Sequence, residues 1–182
     1  MESKLFTPVT FGPLTLRNRT IRSAAFESMC PGNAPSDMLL DYHRSVAAGG
    51  IGMTTVAYAA VTQSGLSFDR QLWMRPEIIP GLRRLTDAIH AEGAAAGIQL
   101  GHCGNMSHKS ICGCMPVGAS SGFNLYSPTF VRGLRADELP EMARAYGRSV
   151  NLAREAGFDS VEIHAGHGYL ISQFLSPSTN HR

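Results

Sequence analysis

Residues 158 to 177 read FDSVEIHAGHGYLISQFLSP, and this stretch decides the fold class. The apolar residues Val161 and Ile163 alternate with polar ones, which is the period of a half-buried β-strand. The alternation comes directly after Gly157, a residue type at which helices commonly end. The stretch therefore predicts a strand that follows a helix, which is the repeating pattern of an α/β fold.

Two histidines and a tyrosine lie at the end of this strand. His164 closes the strand, and His167 and Tyr169 follow within five residues, separated by Gly166 and Gly168. The glycines allow a tight turn, and in parallel α/β folds ligands bind where the strands end. A single histidine at a strand end is more often a hydrogen-bonded structural residue than a catalytic one. A pair beside a phenol can donate hydrogen bonds to a developing oxyanion and a proton to a carbanion-like centre. These three residues are the candidate catalytic residues.

The rest of the chain predicts further units of the same kind. A hairpin is expected at 9–18, and a short helix is expected to open at Tyr169. The segment 102–135 is rich in Gly, Ser, Cys and Pro, and we expect a long irregular loop there, a feature that is usually functional. The other elements are strands at 20–25, 53–61, 95–100 and after Gly157, and helices beginning near Ser36, near Pro76 or Pro80, and near Asp137. This order fits one domain, either an open four-stranded parallel sheet or the first half of an eight-stranded barrel.

Composition limits the classes of function. The chain has 182 residues, 43% of them hydrophobic and 16% charged, which is typical of a globular domain with a core. A formal net charge of +2, with no basic stripe interleaved with aromatics, argues against nucleic-acid binding. The first residues lack a secretory pattern, and no stretch is long and apolar enough to span a bilayer. We therefore expect a cytoplasmic protein that does not bind membranes, and the four cysteines agree with a reducing compartment.

Several segments together resemble a known family, the old yellow enzyme and NADH:flavin oxidoreductase family of ene-reductases, which includes 2,4-dienoyl-CoA reductase. The resemblance is to the N-terminal half of that family and covers essentially the whole chain, in family order and spacing. The last segment is the most specific. The segments are LFTPVTFGPLTLRNR at 5–19, RSAAF at 22–26, GGIGMTTVAYAAVTQSG at 49–65, IQLGHCG at 98–104 and AGFDSVEIHAGHGYLISQFLSPSTNHR at 156–182.

The resemblance implies a fold and a cofactor. Residues 1–182 would be a partial FMN-binding domain, about four β/α units of a TIM (β/α)₈ barrel, truncated before the second half. Backbone at Ser23, Ala24 and Ala25 would meet the flavin ring, and the small Ala57 would allow close approach, although an ordinary core alanine fits equally well. Gln99 would meet the polar edge of the flavin. A glutamine in so apolar a strand is unfavourable unless it is paired, and its amide both donates and accepts.

The resemblance also implies a reaction. Hydride would pass from NAD(P)H through FMN to the β-carbon of an activated alkene, in an unsaturated carbonyl or enoyl substrate. His164 and His167 would bind the carbonyl oxygen, and Tyr169 would protonate the α-carbon. One departure concerns Phe26, at a position where many members carry a threonine or cysteine that tunes the flavin. A second is that the phosphate site of the family belongs to the second half of the barrel.

Two alternatives stay open. One is a metal-dependent barrel hydrolase that uses His102, His108, Cys103 or the pair His164 and His167, although no nearby carboxylate completes a triad of ligands. We expect no metal, and the cysteine spacing matches no iron–sulfur cluster. The other is a half-barrel fragment without activity of its own.

For such a fragment we expect a colourless protein that aggregates or forms a homo-oligomer. Four strands of an eight-stranded barrel leave two unpaired edges and an uncovered inner face. We assign that face to Ile21, Thr55, Ile98 and Val161, or to their neighbours of opposite parity.

Overall fold

The structure, a computed structural model, describes residues 3–182, so the first two residues of the predicted domain lie outside it. It contains three separate sheets and five α-helices in these residues. No helix among them has the length and apolar character needed to cross a membrane. The strands are β1 Val9–Phe11, β2 Leu14–Leu16, β3 Ile21–Arg22, β4 Met53–Ala60, β5 Ala95–Gly101, β6 Val117–Gly118, β7 Gly122–Asn124, β8 Thr129–Gly133 and β9 Ser160–Ile163. The helices are α1 Asp37–Ala48, α2 Ile79–Ala91, α3 Lys109–Cys112, α4 Leu139–Glu155 and α5 Leu170–Leu175.

A four-stranded parallel sheet forms the centre, in the order β3-β4-β5-β9. Helices α1, α2 and α4 bury their apolar positions against one face of it. The core there includes several residues that are fully buried: Leu39, Leu82, Leu85, Ile89, Ile98 and Leu100. Burying a side chain of this size stabilises the fold by roughly 1.5 to 3 kcal/mol. The α/β prediction and the order of its elements are therefore confirmed.

The helix boundaries follow the predicted caps. The Ser36 hydroxyl accepts a hydrogen bond of 3.1 Å from the Leu39 amide, which satisfies one of the free N–H groups at the start of α1. A short 3₁₀ turn at Pro76–Ile78 precedes α2, so both predicted proline positions lie at this helix start. Tyr169 is the N-cap of α5, and Ser176 is its C-cap.

The hairpin of β1 and β2 ends in a clamp on two helices. The Arg17 guanidinium donates hydrogen bonds to the carbonyls of Ala47 in α1 (2.5 Å), Ile51 (2.9 Å) and Glu92 (2.7 Å). The last carbonyls of a helix have no partner within the helix and carry partial negative charge. A single cation therefore joins the C-terminal ends of α1 and α2 to the hairpin.

The strand predicted at 20–25 is shorter in the structure, where β3 has only two residues. Beyond Arg22, side chains form hydrogen bonds with the backbone N–H and C=O groups of β4 with which a longer β3 would pair. The Arg22 guanidinium donates to the Thr55 carbonyl at 2.6 Å, and the Glu27 carboxylate accepts from the Ala57 amide at 3.1 Å. Residues 23–25 thus leave the sheet because these side-chain bonds replace the backbone ladder.

The segment 102–135 was predicted to be an irregular loop, and this prediction is wrong in part. It contains α3 and a small sheet in the order β6-β8-β7. In this sheet β8 pairs parallel with β6 and antiparallel with β7. These strands have only two to five residues and are too short to show a clear period of two. The sequence pattern therefore did not reveal them.

The face of the central sheet opposite the helices is small and polar. A Cβ atom on Gly97 would lie 2.9 Å from the Ser160 hydroxyl and 3.2 Å from that of Thr55, so these three residues share that face. Ile98 and Val161 instead pack on the helix side. The assignment of Ile21 and Thr55 to the inner face is correct, because Ile21 pairs with Met53, whose Sδ lies beside Gly97 on that face. On β5 and β9 the neighbours of opposite parity lie there instead. The helices supply the apolar partners that isoleucine and valine require.

Candidate active site

The carboxyl ends of β4, β5 and β9 bring the three predicted catalytic residues together. The His164 amide donates to the Leu100 carbonyl at 2.8 Å, which extends the β5–β9 ladder by one residue. The His164 side chain is buried, and its Nε2 lies 3.1 Å from Nδ1 of the exposed His167. His167 has φ +57, a left-handed conformation that is uncommon for a residue with a side chain. The turn between the two histidines therefore folds one imidazole back onto the other.

Electrostatics keep His164 neutral. Burial lowers the pKa of His164, and a positive charge on His167 would lower it further. Because an ordinary histidine already has a pKa near 6.5, His164 is uncharged at neutral pH. One facing nitrogen then donates its proton to the other, and the two rings share a single N–H···N hydrogen bond.

Tyr169 lies beside the pair. Its ring lies edge-on to that of His164, with an interplanar angle of 76° and 5.1 Å between the ring centroids. Burial raises the pKa of the Tyr169 phenol, so the phenol holds its proton at neutral pH. The structure thus places two imidazoles and a protonated phenol around one point, as the sequence predicted.

Tyr58 is a member of this site that the sequence analysis missed. Its hydroxyl lies 2.8 Å from that of Tyr169, and its ring is 5.5 Å from that of Phe26. The pairing of β4 with β5 shifts register between Val56 and Ala59, as in a β-bulge. Regular alternation would turn Ala57 and Tyr58 to opposite faces, but both lie in one cluster with Cys103. A lone hydroxyl-bearing aromatic in a strand of small residues was the available clue.

A buried carboxylate binds the backbone of β4 at this register shift. Glu27 accepts from the Ala57 amide and lies 2.6 Å from the Arg22 guanidinium. Its side chain is only 3% exposed, and a buried charge of this kind needs a partner and hydrogen bonds. His43 Nε2 lies 3.3 Å away, while His43 Nδ1 is 2.8 Å from the Thr54 hydroxyl. The carboxylate therefore fixes the backbone from which Tyr58 extends.

The residues predicted to contact the cofactor lie at the same edge. Ser23 and Ala25 are exposed, and Ala24 packs against the Tyr58 cluster. Gln99 is buried, and its Nε2 donates to the Glu162 carboxylate at 2.6 Å. Ala57 is 6% exposed and its amide is already bonded to Glu27. The Ala57 contact with a flavin stays a prediction.

The residues of the metal alternative are engaged elsewhere. His102 is fully buried, accepts from the Gly104 amide through Nδ1 and lies 3.1 Å from the Ser64 hydroxyl through Nε2. His108 Nε2 lies 2.6 Å from the Ser127 hydroxyl. Across residues 3–182, no three His, Cys, Asp or Glu side chains are grouped as metal ligands would be. The metal-dependent hydrolase therefore has no supporting geometry in this part of the chain.

Comparison with known protein families places the chain in one of them. The sequence pattern of the NADH:flavin oxidoreductase / NADH oxidase family matches residues 4–182. The chain belongs to this family. FMN and NAD(P)H are the cofactors of the family.

The chain spans about half the length of the three relatives described next. The 4,4'-dithiodibutanoate disulfide reductase of Rhodococcus erythropolis is 43% identical over 178 residues, which are 98% of this chain and 44% of that protein. The NADPH dehydrogenase of Bacillus subtilis is 35% identical over 187 residues, covering 100% of this chain and 54% of the relative. The old yellow enzyme homologue of Zymomonas mobilis has a similar structure, with TM-score 0.91 and 29% identity over 99% of this chain and 53% of that one.

These matches confirm the fold class. The solved relatives are TIM barrels, and the chain corresponds to about half of one, with a parallel sheet that is not closed within residues 3–182. The prediction of an N-terminal half-barrel of this family is therefore confirmed.

The residues at the carboxyl edge fit the ring of FMN. The small side chains of Ala24 and Ala25 leave the backbone open to a flat ligand. Within residues 3–182 the side-chain oxygen Oε1 of Gln99 has no hydrogen-bond partner, and the side-chain nitrogen Nε2 donates only to Glu162. The amide thus keeps an acceptor and a second N–H for the polar edge of a flavin.

Proposed function

We propose that the protein is an NAD(P)H-dependent FMN oxidoreductase of the ene-reductase type, which reduces an alkene conjugated to a carbonyl group. The observation that carries this proposal is the convergence of His164, His167 and Tyr169, with 3.1 Å between the imidazole nitrogens. Such a group can bind an oxyanion and supply a proton at the same time. The composition supports a cytoplasmic protein that acts on small molecules, and the open edges at β3 and β9 support association with another copy.

The residues that would hold FMN are Ser23, Ala24, Ala25, Ala57 and Gln99. The first three would contact the ring through backbone atoms, and Gln99 would bond its polar edge through the free positions of its amide. When bound, FMN supplies a hydride carrier that accepts from NAD(P)H and donates to the substrate.

The histidine pair would bind the substrate's carbonyl oxygen. In the structure one imidazole nitrogen must accept from the other across 3.1 Å. An oxygen that binds between the rings needs an N–H from each, so the ring that now accepts must move its proton to the facing nitrogen, which is a change of tautomer. The shared N–H···N bond is thus exchanged for two N–H···O bonds to an oxygen that becomes more negative as the alkene is reduced.

Tyr169 would complete the reaction by proton transfer. Hydride addition at the β-carbon leaves negative charge on the α-carbon and the carbonyl oxygen, and the α-carbon then takes the phenol proton. Because burial raises the pKa of Tyr169, the proton is present at neutral pH and is given up only to a strongly basic centre.

Disulfide reduction is a second candidate, favoured by the 43% identity to a protein named as a disulfide reductase. A disulfide takes the same hydride and one proton and yields two thiols, so the chemistry at Tyr169 would be similar.

The test is anaerobic NAD(P)H consumption by the FMN-loaded protein with a cyclic enone or with 4,4'-dithiodibutanoate. We expect the saturated ketone from the enone. Thiol formation without enone reduction would replace our proposal by the disulfide alternative. A protein that binds no FMN would contradict both and would favour the alternative of a half-barrel fragment without activity of its own.

A further inference from the structure

We propose that Tyr58 is a positioning residue for Tyr169, whose phenolate it stabilises by donating a hydrogen bond once the Tyr169 proton has left. The use of this bond in the reaction rests on the proposed function of Tyr169 as the proton donor. The bond itself is a property of the two side chains, so it can be tested without substrate.

The geometry joins the two hydroxyls and leaves them few other partners. They lie 2.8 Å apart, and the ring centroids are 5.5 Å apart. Tyr58 is 6% exposed. The only other hydrogen-bond partner of its hydroxyl in residues 3–182 is the Cys103 thiol, at 3.7 Å. The same thiol also lies close to the Tyr169 hydroxyl.

Loss of a proton from Tyr169 fixes the direction of this bond. While both phenols are neutral, either can donate. Once Tyr169 is a phenolate, its oxygen can only accept, so Tyr58 must donate. A hydrogen bond to an ion is roughly twice as strong as a neutral one, and the low dielectric of a buried site strengthens it further. The bond therefore grows stronger as the proton moves to the substrate, which lowers the barrier of that step.

The groups behind Tyr58 do not compete for this role. Burial raises the pKa of Cys103 to about 11 and places that of Tyr58 well above its usual range. Both groups keep their protons at neutral pH, so neither becomes an anion that would repel the Tyr169 phenolate. The Cys103 thiol can in turn donate to the Tyr58 oxygen. The hydrogen bonds then run in one direction, from Cys103 to Tyr58 and from Tyr58 to Tyr169.

The surroundings of Tyr58 hold it in this place. Its ring packs on Phe26 at 5.5 Å between centroids, and Phe26 stacks on Phe68 at 4.6 Å. The preceding residue, Ala57, is tied to Glu27. Replacing Tyr58 by phenylalanine removes one oxygen and leaves these ring contacts in place.

The test is a titration of the phenol at position 169 in the purified protein, with or without FMN bound. Tyr169 is replaced by 3,5-difluorotyrosine, a more acidic phenol whose ¹⁹F resonance reports ionisation. Tyr58→Phe should raise the pKa at position 169 by about 1, a tenfold change in the ionisation constant, as expected for loss of one bond to a charged group. Tyr126→Phe is the matched control, because Tyr126 is 93% exposed, and should leave this pKa unchanged.

An unchanged or lowered pKa in Tyr58→Phe would overturn the inference. If the variant loses its cooperative melting, ¹³Cζ-labelled tyrosine in the unaltered protein decides the matter. The Tyr58 resonance must then move at the pKa of Tyr169, and a Tyr58 resonance that does not respond would also overturn the inference. Turnover is a separate readout. A Tyr169→Phe variant that still reduces enones normally would refute the proposed function, yet the titration would still report on Tyr58.

Discussion

Replacing His102 should change how the stability of the protein depends on pH. His102 directly follows β5, and its backbone carbonyl accepts from the Leu170 amide at 2.9 Å, so it ties the end of β5 to the helix that Tyr169 caps. Complete burial lowers its pKa from 6.5 to about 4. Between these values the unfolded chain binds a proton and the folded chain does not. Stability is therefore full above about pH 6.5 and is lost as the pH falls towards 4.

The size of the effect follows from the two pKa values. A difference of 2.5 corresponds to about 3 kcal/mol in full, of which about 2 kcal/mol is lost between ~pH 7.5 and ~pH 5. His102→Gln cannot bind this proton. It should be less stable at ~pH 7.5 by roughly 1 to 3 kcal/mol, since it breaks buried hydrogen bonds, but should lose about 2 kcal/mol less than the natural protein on acidification.

Urea unfolding of the purified protein at the two pH values measures this difference. His181→Gln is the matched control, because His181 is exposed and its removal should leave the pH dependence unchanged. Equal acid sensitivity in His102→Gln and the natural protein would refute the reasoning, because His102 would then bind a proton as readily in the folded state.

Two further predictions concern the histidine pair and the arginine clamp. His164→Ala or His167→Ala should weaken the binding of a phenolate ligand roughly 10- to 100-fold, because each removes an N–H donor to a charged oxygen; a flavin charge-transfer titration measures the affinity, and unchanged binding would indicate a structural role. Arg17→Ala should lower the free energy of unfolding by about 2 to 4 kcal/mol, because three carbonyls lose a charged donor. Arg19→Ala, whose side chain makes one contact of 3.4 Å with an exposed threonine, should cost less than ~0.5 kcal/mol, and equal losses in the two variants would contradict the clamp.

The parts of the fold that could be predicted are those with local periodicity or caps. The helices α1, α2 and α4 show apolar residues at helical spacing, and Ser36 marks a start that the structure confirms. The crowding of His164, His167 and Tyr169 could be predicted because all three follow one strand within six residues. Their distances depend on a single turn of the chain.

The parts that could not be predicted depend on residues far apart in sequence. The bulge that turns Tyr58 towards Tyr169 follows from a register shift against β5 and from the bond between Glu27 and Ala57, and no local pattern encodes either. The inner face of the sheet was ambiguous because β4 and β5 are apolar or small on both faces, so alternation alone does not separate them. Packing against α2 and α4 decides that Ile98 faces the helices.

The most direct test of the central claim separates the two halves of the reaction in Tyr169→Phe. In anaerobic stopped-flow experiments we expect reduction of the bound flavin by NAD(P)H at the natural rate, because no proton from Tyr169 takes part. Reoxidation by an enone should be slowed by about 10²- to 10⁴-fold, the usual contribution of a general acid. Equal slowing of both half-reactions, or normal reoxidation by the enone, would contradict the assignment of Tyr169 as the proton donor.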